Sequence, residues 1–282
     1  MSFTIINKSS DLDYLDKELL LKSVVGVDTE FRRRSKDDID LALIQINDGH
    51  EIFLVDCISI GTYLGACKFL TEKKVLKIFH SCREDIEVLF SWTKEEPKNI
   101  FDTQLANAFL GGSFSIGYQK IVEKELGVHL EKDETRSNWI KRPLRDSQLR
   151  YAASDVQFLL DLYEIQSNKL NKLRRLEWMN EEISSLIRKQ ESEEYKEFNR
   201  INKVSKSQEK EFLYTLNEIV LEVSETLEIN KTLLLSKKEQ REVLSRILYR
   251  GVEETVTDLL NWKRDLLQKD IYDLVDRFNL GG

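Results

Sequence analysis

Apolar residues follow two rhythms along the chain, and the change between them divides it. The first stretch carries short, largely β-branched runs bounded by turn or charged residues: Phe3 to Ile6, Val24 to Val27, Leu41 to Ile46, Ile52 to Val55 and Val75 to Phe79. Runs of this length predict strands. LALIQI and EIFLVD are joined through Asn47-Asp48-Gly49-His50, and Asp-Gly favours a hairpin because glycine accepts positive φ. These two strands are expected to pair antiparallel. Helical spacing marks Ile60 to Leu70, Arg83 to Phe90, Thr103 to Leu110 and Ser147 to Tyr163. The alternation predicts a mixed sheet with helices packed on it.

Beyond about residue 166 only helical patterns occur: Leu170, Leu173, Leu176 and Trp178, then Phe212, Leu216, Ile219, Val220 and Val223, then Val243, Leu244, Ile247 and Leu248. An all-helical second module follows. Gln190 to Lys210 is dense in Glu and Lys and nearly free of aliphatic residues, which fits a hinge or solvated helix. The expected organisation is 1–166 as the α/β domain, 167–206 as a linker helix and 207–282 as a helical domain.

Composition narrows the function classes. The 282 residues are 41% hydrophobic and 33% charged, enough apolar matter for a folded core. With 43 Lys and Arg against 50 Asp and Glu the net charge is -7, which argues against a protein that coats nucleic acid through bulk positive charge. Three separated cysteines give neither a zinc spacing nor a disulfide framework. No apolar run approaches membrane-spanning length, and a cytoplasmic location without membrane association is expected.

The informative residues are acids where buried elements should be apolar. In VVGVDTEF, Asp28 and Glu30 are two apart on one strand face. Asp85 in REDIEVLF stands three and four residues before Val88 and Leu89, beside an apolar stripe. Asp155 in YAASDVQFLLDLY has Tyr151 one turn earlier on the same helix face. Each alone could be a solvated strand end, a helix cap or an incidental contact. Together they make a cluster costly to bury, since two carboxylates about 4 Å apart repel by about 4 kcal/mol at an effective dielectric of 20. Divalent cations relieve that repulsion, and all-oxygen ligands select Mg²⁺ or Mn²⁺. Acid clusters holding two such ions serve in-line displacement at phosphorus, one ion activating water and the other stabilising the leaving oxygen.

Three blocks, VGVDTEF, FHSCREDIEVL and YAASDV, stand in an order that resembles the ribonuclease D group of the DEDD superfamily of 3′-to-5′ exonucleases. FDTQLANAFLG, GYQKIVEKELGV and KDETRSNWIKRPLRDSQLRYAASDV extend the similarity over about residues 20 to 182. The resemblance implies a ribonuclease H-like α/β sheet with flanking helices and two bound Mg²⁺ or Mn²⁺ ions. It implies that Asp28 bridges both, that Glu30 and Asp155 hold the ion on the nucleophile side, and that Asp85 supports the other through water. Tyr151 would orient the attacking water, a better role than proton abstraction because a phenol is a weak base at neutral pH. Thr29 and His80 match positions near the terminal nucleotide. The segment EFLYTLNEIVLEVSETLEINKTLLLSKKEQREVL resembles, more weakly, a helicase-and-RNase-D C-terminal domain.

Local charge marks where a nucleic acid would lie. Arg32, Arg33, Arg34 and Lys36 follow the Asp28/Glu30 strand, while Lys132, Arg136, Lys141, Arg142, Arg145 and Arg150 precede Tyr151. Arg32, Lys132 and Arg142 are the expected phosphate contacts, and Phe31 and Trp139 could stack on an unpaired base. The activity expected from the resemblance is exoribonucleolytic release of nucleoside 5′-monophosphates from RNA 3′ ends, with precursor transfer RNA as substrate and no obligate protein partner. Alternatives are a DNA 3′-to-5′ exonuclease of repair type and a catalytically silent RNA-binding scaffold.

Overall fold

The computed structural model describes residues 2–35, 38–61, 65–130, 134, 137–191 and 204–280. Contacts divide the chain into two compact units: 1–106 with 115–173, and 107–114 with 174–282.

The first unit is built on a six-stranded sheet of β1 (Thr4–Ile6), β2 (Val24–Arg33), β3 (Ile39–Asn47), β4 (Ile52–Asp56), β5 (Leu76–Phe79) and β6 (Ile100–Asp102) in the order β1-β4-β3-β2-β5-β6. The expected β3–β4 hairpin is present as an antiparallel pair. β2 pairs antiparallel with β3 and parallel with β5, so the sheet is mixed as anticipated. β2 is the central strand that continues past Val27 to Arg33. Asp28 and Glu30 therefore lie inside the sheet rather than beyond its end.

Helices α1 (Ser9–Leu19), α2 (Cys57–Ile60), α3 (Lys68–Thr71), α4 (Arg83–Thr93), α5 (Thr103–Phe109), α6 (Tyr118–Leu126), α7 (Asp146–Gln157) and α8 (Leu159–Lys172) accompany the strands. The single helix expected over Ile60 to Leu70 is not formed. α2 starts on an Asp56 cap that accepts from the amides of Ile58 and Ser59 and stops at Gly61, whose φ of 74° is left-handed. Ser147 to Tyr163 is two helices, because Phe158 at φ -108° and ψ 9° interrupts them. β6 and α1 carry too few apolar positions in a row to announce themselves in the sequence.

The second unit comprises α9 (Leu176–Glu191), α10 (Lys206–Thr226), α11 (Lys231–Leu235), α12 (Lys237–Arg250), α13 (Val252–Thr257) and α14 (Asn261–Arg277), with residues 107–114. α10 and α12 each begin on a capping box, Ser205 with Gln208 and Ser236 with Glu239, which satisfies otherwise orphaned amides. Trp178 stacks on Trp262 at 5.3 Å between centroids, and Phe109 meets Trp262 edge-on at 5.3 Å. The buried Lys263 ammonium lies 3.0 Å from Glu182 and 3.3 Å from Glu239. Arg175 donates to the carbonyls of Phe109, at 2.7 Å, and Leu227.

These contacts revise the expected organisation. Residues 167–173 complete α8 of the first unit, and the helical unit takes the chain from Arg174 onward, well before residue 207. Trp178, Met179 and Ile183 explain the shift, since they commit α9 to the helical core. Most of the expected hinge, 192–203, lies outside the described residues. No helix among the described residues is long and apolar enough to cross a membrane.

Trp262 is the largest fully buried side chain of the helical unit. Trp262→Ala is expected to cost about 3–5 kcal/mol and to lower hydrogen-exchange protection in α9 and α14. Unchanged protection there would show that the stacked rings do not organise the unit.

Candidate active site

The site starts from the two-residue period of β2. Gly26, Asp28 and Glu30 share one face, and their antiparallel partners on β3 are Asn47, Gln45 and Leu43. Directly paired residues of antiparallel strands project on the same side. This face of the sheet therefore carries two carboxylates opposite an amide and a leucine.

The junction of α7 and α8 is pressed onto that face. A Cβ added at Gly26 would stand 3.1 Å from Leu159 Cβ and 3.4 Å from the Val156 carbonyl oxygen. Only a residue without a side chain admits this approach freely. Asn47 Nδ2 donates to the carbonyls of Val156, at 3.1 Å, and Gln157, at 3.0 Å. These carbonyls stand at the end of α7, where the regular helical partners run out. The Phe158 amide donates to the Tyr118 hydroxyl at 3.0 Å. Asp155, two residues before the break, is thereby set over β2, and one oxygen from each of Asp28, Glu30 and Asp155 lies within 4.8 Å of the others. Three of the four predicted ligands thus converge.

Asp85, the fourth, enters from the first turn of α4 and stands outside this closest group. The Thr29 hydroxyl donates to its carboxylate. The start of α4 is held in turn by Asp102, whose carboxylate accepts from the amides of Ser81 (3.0 Å), Cys82 (2.8 Å), Gln104 (2.8 Å) and Leu105 (3.1 Å). Ser81 adopts a left-handed φ of 66° in this turn. Asp102 is thus the buried post on which both α4 and α5 begin.

Burial and mutual repulsion raise the affinity of the cluster for protons. Burial, then repulsion from Asp85, Asp155 and Glu30, drives the Asp28 carboxyl well above the usual range. Glu30 is pushed up to about 9 by burial and by Asp155 and Asp85. Asp155 is pushed up to about 7 by burial, against a hydrogen bond from Tyr151. Asp85 is also pushed up to about 7 by burial, with the Thr29 bond opposing and Asp102 adding repulsion. Tyr151 therefore does touch Asp155 as its spacing predicts, and its ring lies 6.1 Å from that of Trp139. An all-carboxylate donor set that retains protons at neutral pH without cations fits hard divalent ions.

Several expected substrate contacts are otherwise occupied. Thr29 is 6% exposed and bonded to Asp85. His80 donates from Nε2 to the Ile116 carbonyl at 2.9 Å, and its Nδ1 meets the Thr103 hydroxyl at 2.8 Å. Burial holds its pKa below the usual value, so the ring is neutral and both nitrogens serve the fold. Arg142 donates from Nε and Nη2 to the two oxygens of Asp56 at 2.7 and 2.6 Å, and to the carbonyls of Trp139 and Ala42. It ties the loop before α7 to β3 and β4. Trp139 is 4% exposed and unable to stack on a base.

Arg32 and Arg34 both reach Asp40 at 2.7 Å, and Arg33 reaches Glu87 at 2.7 Å while covering the Phe31 ring at 5.8 Å. Arg32 and Phe31 stand at the strand end with these partners already in place. Lys132, Lys36 and Arg136 lie outside the described residues.

Asn47 and Asp102 were missed by sequence reasoning. Asn47 had the same signal as the acids, a polar residue in an otherwise buried strand. Asp102 had the position of a helix cap, which conceals a second set of amides 20 residues earlier.

Residues 3–171 match the family model described as 3′-5′ exonuclease. The chain is 37% identical over 171 residues to ribonuclease D of Pseudomonas paraeruginosa, covering 61% of this chain and 45% of that protein. It is 44% identical over 151 residues to ribonuclease D of Haemophilus influenzae, covering 54% and 38%. The chain thus spans about half the length of the curated relatives it matches. In fold it is similar to RNase D of Escherichia coli, with a TM-score of 0.64, 22% identity and coverage of 99% and 76%. It is similar also to Brucella melitensis NrnC, with a TM-score of 0.59, 24% identity and coverage of 70% and 98%.

The raised carboxyls set a sign for pH. An acid whose folded pKa exceeds its unfolded value stabilises below the unfolded value, and this is lost as pH rises through the folded one. For Asp85, Asp155 and Glu30 the window runs from about 4 to about 9. Lys77, pushed down to about 7 by burial, acts oppositely above pH 7 with or without cations. The cluster is therefore read from the difference between melting temperatures in Mn²⁺ and in chelator. That gain is expected to grow from about pH 6 to about pH 8.5, because binding displaces protons. An equal gain at both would show that the carboxyls hold none.

Arg142→Ala is expected to destabilise the fold by about 2–3 kcal/mol, as loss of charge-assisted hydrogen bonds from a half-buried group does. RNA affinity measured well below the melting temperature should change less than twofold. A large loss of affinity with unchanged stability would restore Arg142 as a phosphate contact.

Proposed function

The chain belongs to the 3′-5′ exonuclease family, whose model matches more than half of it, and on that premise we propose that it is a metal-dependent 3′-to-5′ exoribonuclease releasing nucleoside 5′-monophosphates. The observation that carries the proposal is the convergence of Asp28, Glu30 and Asp155 within 4.8 Å inside the matched segment. The likeness to ribonuclease D supports RNA as the polymer. Structured RNA 3′ ends, with precursor transfer RNA foremost, are the substrates this reading favours.

Asp28, Glu30 and Asp155 would hold two Mg²⁺ or Mn²⁺ ions, with Asp85 supporting the second from its place beside Thr29. Bound there, the ions supply Lewis acidity at the scissile phosphate and cancel the repulsion among the carboxylates. The chain's own residues do the rest. Tyr151, hydrogen-bonded to Asp155 and backed by the buried Trp139, directs its hydroxyl at the attacking water and orients it. Asn47 and Gly26 keep Asp155 in register with Asp28. Asp102 keeps α4, and with it Asp85, at the same site.

Without a basic coat, recognition is local to the 3′ end. Arg32 and Arg34 share the Asp40 carboxylate and Arg34 holds Asp38 as well, so Arg32 is the one of the two that would exchange its partner for a phosphate.

Incubation of 3′-tailed RNA with the protein and Mg²⁺ is expected to release nucleoside 5′-monophosphates stepwise, and Asp28→Asn to reduce the rate by more than about 10³-fold. Shortening unaffected by that substitution would sink the proposal. Matched DNA strands degraded as fast as RNA would move the assignment to a DNA exonuclease.

A further inference from the structure

Gln45 is completely buried on β3, and among the described residues neither its amide oxygen nor its amide nitrogen has a hydrogen-bonding partner. Buried amides are hydrogen-bonded in nearly all folded proteins, so an orphan of this kind points to a partner that is not protein. Its position says which. Gln45 is the register partner of Asp28, so its side chain leaves the sheet on the face that carries Asp28 and Glu30. The neighbour two residues on, Asn47, spends its amide on the end of α7 and is fully explained by the fold. Gln45 is a polar residue of that face to which the fold, among the described residues, gives no hydrogen bond.

A second orphan borders the site through Tyr151. The Trp139 indole nitrogen is buried without a partner among the described residues, and its ring packs 6.1 Å from that of Tyr151. A buried water is stable where it meets two to four polar groups, and a polar contact beyond direct reach is commonly bridged by one. The Asp28 carboxylate has lone pairs directed away from any ion it holds.

We infer that Gln45 is a positioning residue of the metal centre: its amide donates, through a buried water, to the carboxylate of Asp28 and fixes the orientation in which that carboxylate receives a divalent cation. The role rests on the proposed metal centre. It explains why a group that an apolar side chain of equal size would replace without loss to the core is placed at the middle of the sheet. Partners of metal ligands commonly tune affinity by about 10–100-fold.

Gln45→Met keeps the volume and removes both polar atoms, and Gln45→Leu repeats the test with a different shape. Calorimetric titration with Mn²⁺ alone is the principal readout, with the melting temperature in chelator as the second. Both variants are expected to melt in chelator at or above the temperature of the parent, while the Mn²⁺ dissociation constant rises about tenfold or more. With RNA, kcat should fall and KM stay within about twofold, because Gln45 touches no nucleotide. A structural amide would behave the other way, with a lower melting temperature and Mn²⁺ affinity within twofold of the parent, and that result overturns the inference. Parent protein that binds Mn²⁺ but leaves RNA intact would refute the proposed activity and leave the role of Gln45 standing. Parent protein that binds no Mn²⁺ overturns both.

Discussion

Repulsion among carboxylates gathered in a partly buried cluster is the constraint around which the first unit is arranged. Asp28 and Glu30 come from one strand, Asp155 from α7 and Asp85 from α4; Asp85 is buried and the other three are half-buried, so water screens them only in part. No Lys or Arg side chain is hydrogen-bonded to any of the four among the described residues, so protons or cations must supply the missing charge. A fold accepts such a centre only if other interactions hold the four elements against their own electrostatics. The sheet and helices are best understood as that restraint.

The restraint is made largely of polar side chains bonded to backbone. Asn47 takes the two carbonyls at the end of α7, Asp102 takes four amides at the starts of α4 and α5, and Arg142 takes Asp56 with three carbonyls. Each joins segments far apart in the chain, and each acts where a helix or loop must be stopped at a particular residue. Hydrophobic packing is non-directional and would tolerate small slips of α7 along the sheet. Hydrogen bonds of Asn47 to two successive carbonyls do not.

Much of this site could be read from the sequence because its acids obey local periodicities. Asp28 and Glu30 declare themselves by a period of two in an apolar strand, and Tyr151 and Asp155 by a helical turn. What escaped is non-local. Arg142 was read as a phosphate contact because its segment is basic, whereas its partner Asp56 lies 86 residues earlier. His80 and Thr29 look available for substrate until Ile116, Thr103 and Asp85 are brought to them. The start of the helical unit escapes the sequence for the same reason, since Trp178 packs with Trp262 and no local pattern says so. Charged runs reported solvated faces and ion pairs more faithfully than ligands.

The two helices that deliver the outer acids meet the site by opposite ends. Asp85 sits in the first turn of α4, where the backbone amides make a partial positive pole, and Asp155 sits in the last turn of α7, where the carbonyls make a partial negative one. The backbone itself therefore grades the potential across the cluster: it steadies a negative charge on Asp85 and opposes one on Asp155. A cation near Asp155 meets a field from peptide groups as well as from carboxylates. Asn47 tempers the α7 pole by donating to its last carbonyls, yet the gradient lies in the backbone and gives the two halves of the site unequal attraction for positive charge as a property of its architecture.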